Sequence, residues 1–219
     1  MVLRSGIFGV VVALSASVSA APTIDWARGL VTAEGIGIAD RHAPNPAVAR
    51  GTSRRAAEAA ARAELANSVP QLELASGGLV RAQLGDAATK ARLDRAIAQA
   101  VAVTAQPETD GAWRVTMGVP IEAVRQAMEG GPRAVAGDLD SGHDREPSIV
   151  VVEGSTAKPA VGWIVGGIHA ATIWVTEVPA WARGAPHVKA TSAKAGAIEI
   201  AGTPGHAGNV ATLYVLLQP

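Results

Sequence analysis

Residues Pro46–Ser68 have the sequence PAVARGTSRRAAEAAARAELANS, an alanine-rich run with charged side chains at four-residue spacing. Alanine has the best intrinsic helix propensity, about 1 kcal/mol per residue better than glycine. Asn45 before Pro46 is typical of an N-cap followed by proline at the first helical position, and Pro70 would stop the helix at its other end. The sequence therefore predicts one long helix.

A helical wheel gives this helix one face made of small side chains. At about 100° per residue, eight residues fall within an arc of about 120°. They are Val48, Ala49, Thr52, Ala56, Ala59, Ala60, Ala63 and Ala66. Charged residues lie outside the arc, and Glu58 stands four residues before Arg62, the favourable order for a surface ion pair. We expect the arc to be buried and its methyl groups to let the helix axis approach its neighbour closely.

The first 20 residues have the pattern of a signal peptide. Arg4 precedes an apolar run from Ile7 to Leu14, and the small residues Val18, Ser19 and Ala20 follow. This predicts export and cleavage between Ala20 and Ala21, to the periplasm or outside the cell. The apolar run is shorter than the roughly 20 residues that span a bilayer, and no later stretch predicts a transmembrane span.

Composition excludes several classes of function. The chain has no cysteine, which excludes disulfides, thiol catalysis, thiolate metal sites and a lipid anchor at a cysteine. Without Arg4 the 19 basic side chains become 18 against 19 acidic ones, so no nucleic-acid surface is indicated.

An extended segment over Ile24–Ala39 precedes the helix and is interrupted by Gly29, Gly35 and Gly37. Glycines inside a strand indicate a bulge or the close approach of another backbone, and the long alanine-rich helix is a candidate for that neighbour. A phosphate-binding loop at Gly35-Ile36-Gly37 is not supported, because the third glycine is missing and prolines separate it from the helix.

The pattern after the long helix predicts further helices and a hairpin. Residues 72–74 and 79–84 fit either two short strands or an irregular connection. The next elements are a second helix capped by Asp86 and reaching about Val101, strands over 101–106 and 112–119 around Asp110-Gly111, and a third helix from Pro120 with Ile121, Val124 and Met128 inward. On the second helix, Arg92, Arg95 and Gln99 lie opposite the apolar face.

The last part of the chain has strand character without helix signals. Short apolar runs occur from 149 to 217, punctuated by Gly and Pro about every ten residues, which is the rhythm of antiparallel β structure. Gly166-Gly167 indicates a turn or bulge. These strands either form their own small domain or extend the first sheet.

The fold class is therefore α+β: the long alanine-rich helix and a second helix packed on an antiparallel sheet, followed by a strand-rich C-terminal part. The predicted organisation is a signal peptide over 1–20, an α+β domain over 21–128, a linker over 129–147 and a β-rich region over 148–219. The linker is rich in Gly, Pro and charged residues.

A resemblance adds to this interpretation. The residues that carry it are Trp26, Gly29, Val31, Ala33, Gly35, Gly37, Pro46, Ala49, Arg50, Ala56, Ala57, Ala60, Ala63 and Leu65. With the helix and hairpin that follow, this pattern resembles a family of small bacterial outer-membrane lipoproteins related to the N-terminal domain of the flagellar protein FlgT. The resemblance covers roughly residues 24–128 and implies a cell-envelope location and no enzymatic activity. Such lipoproteins begin with a lipid-bearing cysteine, which this chain lacks, so a non-lipidated form is expected.

Candidate catalytic and metal-binding residues do not converge in the sequence. The histidines His42, His143, His169, His187 and His206 are scattered, and no pair has helical ligand spacing. We identify no catalytic, cofactor-binding or metal-ligating residue and predict no cofactor. Asp138, Asp140, Asp144 and Glu146 surround Gly142 in the linker, but their offsets do not match an EF-hand loop.

Two functional hypotheses follow. The first is a non-enzymatic structural or interaction module of the cell envelope, which binds envelope proteins or associates with itself. The alternative is an exported ligand- or calcium-binding protein, suggested by the acidic linker and the strand-rich C-terminal part.

Overall fold

The structure is a computed structural model, and it describes residues 22–130, 148–202 and 212–217. Its α-helices are α1 (Pro46–Ser68), α2 (Ala87–Ala98) and α3 (Ile121–Met128). Its strands are β1 (Thr23–Asp25), β2 (Leu30–Gly37), β3 (Val101–Pro107), β4 (Trp113–Pro120), β5 (Ser148–Glu153), β6 (Ile164–Val165), β7 (Ile168–His169), β8 (Ala171–Val175), β9 (His187–Lys194), β10 (Ala197–Ile200) and β11 (Thr212–Leu217). Short 3-10 turns occupy Val69–Gln71, Val80–Gln83 and Ala180–Ala182.

The strands form two separate sheets, and the predicted α+β class is confirmed. The first sheet has four antiparallel strands in the order β1-β2-β4-β3, with α1 packed on β2 and β4. The second sheet has seven strands in the order β7-β6-β10-β9-β5-β11-β8. The C-terminal strands therefore do not extend the first sheet.

The bounds of α1 are those predicted from the sequence. Asn45 caps the helix, since its Oδ1 accepts a 2.9 Å hydrogen bond from the backbone N–H of Val48. Pro46 occupies the first helical position, and the helix ends at Ser68, before the 3-10 turn that contains Pro70. Glu58 lies 3.1 Å from Arg54 and 3.9 Å from Arg62, which confirms the predicted surface pair.

The predicted buried face of α1 is wrong. The helix buries Ser53, Ala57, Ala61 and Leu65, which share i, i+4 spacing. At about 100° per residue, this face is rotated by about 140° from the predicted arc. Of the predicted residues, only Ala49, Thr52 and Ala60 are half-buried, and the exposed ones are Val48, Ala56, Ala59, Ala63 and Ala66.

Alanine on every side of α1 explains the error, because small side chains alone do not distinguish one face from another. Leu65 is the one leucine of the helix, and it is completely buried. The rest of the buried row is made of small residues that fit against β2. The choice of face is therefore set by one large side chain and by the shape of the sheet.

The predicted close approach of helix and strand is confirmed at two glycines of β2. A Cβ added to Gly35 would lie closer than 3.0 Å to the carbonyl oxygen of Ala57. A Cβ added to Gly37 would lie closer than 3.0 Å to the carbonyl oxygen of Ser53. Any side chain at these glycines would push the α1 backbone away from the sheet. The predicted extended segment also contains a turn, because Gly29 has φ +65 between β1 and β2.

The elements after α1 follow the prediction with small shifts. Asp86 caps α2 through its Oδ2, which accepts hydrogen bonds from the backbone N–H of Thr89 (2.8 Å) and from its hydroxyl (2.6 Å). These bonds lower the pKa of Asp86. The helix ends at Ala98, earlier than predicted, because Val101 begins β3. The connection over 72–84 is irregular, with one bridge between Glu73 and Leu79 and another from Leu74 to Val161, before a 3-10 turn.

The predicted hairpin and third helix are confirmed. Strands β3 and β4 pair antiparallel around the turn at Asp110-Gly111. Val115, Met117 and Val119 of β4 are buried toward α1. The inward residues of α3 are Ile121, Val124 and Ala127, and Met128 is partly buried against the same core.

The antiparallel expectation for the C-terminal strands is wrong for the centre of the second sheet. There β9 pairs parallel with β5, β5 with β11, and β11 with β8. Three consecutive residues of β5 are buried, and so are three of β11; they are Val150, Val151, Val152, Tyr214, Val215 and Leu216. Because successive side chains point to opposite faces, both faces of these strands are covered, which is typical of parallel strands. Turn residues at regular intervals mark strand ends, but they carry no information about strand direction.

One end of the second sheet contains its antiparallel pairs, with a parallel pair of β6 and β10 between them. β10 pairs antiparallel with β9, and β6 pairs antiparallel with β7. The predicted turn at Gly166-Gly167 joins β6 to β7, with φ values of +56 and +79 that favour glycine.

The two sheets are joined by backbone hydrogen bonds. The N–H of Trp174 in β8 donates to the carbonyl of Trp26 at 3.0 Å, and the N–H of Ala75 donates to the carbonyl of Val161 at 2.8 Å. Trp26 also packs against the hydrophobic clusters of both sheets. The turn after β1 is therefore part of the junction between the sheets.

Candidate interaction site

Strand β3 is the most exposed strand of the first sheet. Six of its seven residues are exposed, and Ala105 is half-buried. Helix α1 packs on β2 and β4, and the main contacts of β3 are with β4. Because β3 is at the end of the strand order, one row of its backbone N–H and C=O groups has no strand beside it within the described residues.

The sequence of β3 lacks the charged residues that commonly protect an edge strand. VAVTAQP contains no charged residue, although Lys and other charges commonly prevent edge-to-edge pairing. Val101 and Val103 are 58% and 37% exposed, which places two large apolar side chains on this strand in solvent. The strand is therefore both unpaired on one side and suited to pairing.

The other three sheet edges differ from β3. β1 has three residues and β7 has two, so neither offers a long ladder. β8 has five residues, but the backbone N–H of its Trp174 already donates to Trp26. Within the described residues, β3 is the longest edge strand.

A bulge limits how β3 could pair. The register with β4 shifts between Ala102 and Thr104, which leaves Val103 as the extra residue. The Cγ2 of Val103 occupies the space beside Gly118, where it lies 2.9 Å from the position of an added Cβ. Pro107 ends the strand without a backbone N–H. The bulge interrupts the regular ladder at Val103, and the proline ends its row of backbone donors at Gln106.

Polar groups border β3 on the face opposite α1. The hydroxyls of Thr104 and Thr116 form a 2.9 Å hydrogen bond between β3 and β4. Arg114 donates hydrogen bonds to Glu108 at 3.0 Å and to Glu34 at 2.5 Å, and these bonds raise the pKa of Arg114. The polar side chains of this face already have hydrogen-bond partners. A strand that paired with β3 would therefore lie beside side chains of both charges.

On the α1 side, charges of both signs also stand near the hairpin. The guanidinium of Arg54 lies 5.4 Å from the ring centroid of Trp113, a cation–π distance, and also pairs with Glu58. Trp113 stands opposite Pro107 of β3 in the ladder. A surface dominated by one sign of charge would repel a second copy of itself. Here neither sign dominates, so this surface is compatible with self-association.

The histidines remain separate in the structure. His169 lies 3.1 Å from Glu129, and His187 lies 2.6 Å from Glu153, in each case through Nδ1. His42 is exposed in the loop before α1. His143 and His206 lie outside the described residues. Among residues 22–130, 148–202 and 212–217, no group of three or more His, Asp or Glu side chains forms a metal site.

The acidic residues considered for calcium, Asp138, Asp140, Asp144 and Glu146, lie outside the described residues, as do residues 1–20 with the predicted signal peptide. No helix within the described ranges is both long and apolar enough to cross a membrane.

Comparison with known proteins adds no assignment. No protein-family model matches the chain, and no curated protein matches it either.

Proposed function

We propose that this chain is an exported, non-enzymatic module of the cell envelope that associates with a second copy of itself through β3. The observation that carries the proposal is the exposed, uncharged edge of β3. Export is supported by the signal-peptide pattern of residues 1–20, and an envelope location by the resemblance to envelope lipoproteins.

Pairing two copies of β3 antiparallel would make one continuous sheet through both molecules. A two-fold pair uses the same strand on each copy and leaves no further long edge of the first sheet free, so the assembly closes as a dimer. The short β1 at the opposite edge argues against growth into a fibre. Without residues 1–20 the chain has 18 basic and 19 acidic side chains, so long-range repulsion between copies is weak.

The oligomeric state of residues 21–219 tests this proposal. Light scattering after size-exclusion chromatography should give the mass of a dimer for the native protein and of a monomer for Val101→Lys. The added charge would be placed at the pairing edge, where desolvating it is unfavourable. Val48→Lys is the matched control, since Val48 is an exposed valine of α1 (41% exposed), and it should remain dimeric.

A native protein that stays monomeric at high micromolar concentration would contradict self-association. A dimer that both lysine variants preserve would place the interface away from β3. The thermal melt of Val48→Lys should match the native melt, because Val48 is exposed, whereas Val101→Lys should melt lower by the contribution of the lost dimer.

Export is tested separately from assembly. Expressed with residues 1–20 in a Gram-negative host, the protein should be recovered from the periplasm or medium with Ala21 as its first residue. Cytoplasmic recovery with Met1 retained would contradict export while leaving the dimer result intact.

A further inference from the structure

A groove between α2 and α3 is lined by positive and amide groups. Its volume is about 340 Å³. Helix α2 contributes Arg92 and Arg95, and Gln99 follows at its C-cap. Helix α3 contributes Gln126, and its Ala123 and Ala127 supply small apolar surface. No carboxylate lines it within the described residues.

Arg92 is held in a fixed position in this groove. Its Nε donates to the carbonyl oxygen of Ala127 at 2.8 Å, and its Nη2 donates to the hydroxyl of Thr89 at 2.7 Å. Thr89 is itself held by the cap residue Asp86. The guanidinium is therefore ordered by neutral oxygens on two elements, and the Nη1 group makes no hydrogen bond to the described part of the chain.

Arg95 is three residues after Arg92 on the same face of α2. Its exposed side chain makes no ion pair or hydrogen bond within the described residues. Two like charges at this spacing repel each other, since residues three apart on a helix are neighbours. An anion between the two guanidinium groups would offset this repulsion.

The acidic residues near the groove have partners of their own, and one of these partners, Gln126, lines the groove. Asp94 pairs with Lys90 at 2.6 Å, and Glu122 pairs with Arg125 at 2.5 Å and accepts from Gln126 at 2.8 Å. Glu129 also pairs with Arg125. Arg92 and Arg95 form no ion pair within the described residues, but the charge of Arg92 attracts the carboxylate of Asp86 and helps to lower its pKa. The unbalanced positive charge of the groove is therefore carried mainly by Arg95.

We propose that the α2–α3 groove binds a small oxyanion, a carboxylate or phosphate group carried on a short apolar body. Guanidinium groups bind both kinds of oxyanion through paired hydrogen bonds, and Gln99 adds an amide donor. The alanines of α3 would contact the apolar part of the ligand. The volume falls within the roughly 300–1,000 Å³ of small-molecule sites. This ligand site is distinct from β3 and does not depend on self-association.

The test is a titration of the full mature chain, residues 21–219, with succinate and with inorganic phosphate at constant ionic strength. Amide chemical shifts of α2 and α3 should change saturably with at least one probe. A response to succinate alone identifies a carboxylate ligand, and a response to phosphate alone identifies a phosphate ligand.

Arg95→Gln is the decisive variant, because Arg95 makes no internal contact and its replacement should not alter folding. Affinity should fall by about tenfold or more. Arg55→Gln removes an exposed arginine of α1 outside the groove and should bind as the native protein does. The proposal is overturned if neither probe saturates, or if Arg95→Gln binds with native affinity.

Discussion

The hydroxyl of Ser53 donates a 2.6 Å hydrogen bond to the carbonyl oxygen of Gly37. This bond joins the first buried residue of α1 to the end of β2, where the helix and strand backbones are closest. Ser53 is 1% exposed, so its hydroxyl has little access to water as an alternative partner. The contact fixes the position of the helix along the strand as well as its distance from it.

Replacing Ser53 by alanine should therefore destabilise the protein by about 1 kcal/mol, the usual net value of a buried hydrogen bond. Thr52→Ala is a suitable control, because the Thr52 hydroxyl bonds only within its own helix, to Val48 and Ala49. Urea unfolding of both variants measures the difference. Equal stability of Ser53→Ala and the native protein would show that the bond contributes nothing to docking.

The glycines of β2 should tolerate no side chain. Gly35→Ala and Gly37→Ala each place a methyl group against the α1 backbone, and we expect each to cost about 3 kcal/mol. Gly51→Ala is a control that should stabilise the protein. The nearest atom to its new Cβ is 3.9 Å away, and alanine favours a helix over glycine by up to about 1 kcal/mol. Melting temperatures should fall for the first two variants and rise for the third. A rise for Gly37→Ala would contradict the observed helix–strand distance.

The corrected face of α1 gives a second pair of variants. Ala61 is fully buried and Ala59 is exposed, although the sequence alone placed Ala59 in the buried arc. Ala61→Leu should overfill the contact with the sheet and cost about 1–3 kcal/mol. Ala59→Leu should change stability by less than about 0.5 kcal/mol. A lower denaturant midpoint for Ala59→Leu than for Ala61→Leu would contradict the observed face and support the face predicted from the helical wheel.

Local signals explain what the sequence predicted correctly. The bounds of α1 depend on Asn45, Pro46 and Pro70, which act within a few residues. Gly35 and Gly37 indicate a close backbone neighbour because glycine weakens a strand and is otherwise disfavoured in one. Such features depend on short-range geometry, so the sequence alone determines them.

Long-range pairing explains what the sequence left open. The parallel centre of the second sheet depends on β11 entering between β5 and β8, which no local pattern encodes. The hairpin of β3 and β4 was predicted, but the edge position of β3 depends on where β2 pairs. Likewise, the sequence placed Arg92 and Arg95 on one face of α2, whereas Gln126 joins them only because α3 packs beside α2.

Tyr214 offers a test of the second sheet's core. It is the only tyrosine of the chain and is completely buried, and its hydroxyl has no hydrogen-bond partner among the described residues. An unpaired buried hydroxyl is unfavourable, so Tyr214→Phe should leave stability unchanged or raise it by about 1 kcal/mol. Leu216→Ala on the same strand should instead cost about 2–5 kcal/mol through a cavity. A clear loss of stability in Tyr214→Phe would mean that the hydroxyl has a partner outside the described residues.

The same side chain predicts a pH dependence at the alkaline end. Burial raises the pKa of Tyr214 above its ordinary value of about 10. Above that pH the unfolded chain loses the phenolic proton while the folded protein keeps it, so the free energy of unfolding should decrease as pH rises. Below about pH 9 both states are protonated and the effect is absent. Because Tyr214 is the only tyrosine, tyrosinate absorbance follows this one group directly, and its midpoint in the folded protein should lie above that of the urea-unfolded chain. Tyr214→Phe should remove this part of the alkaline loss, and equal midpoints in the two states would contradict the burial of the hydroxyl.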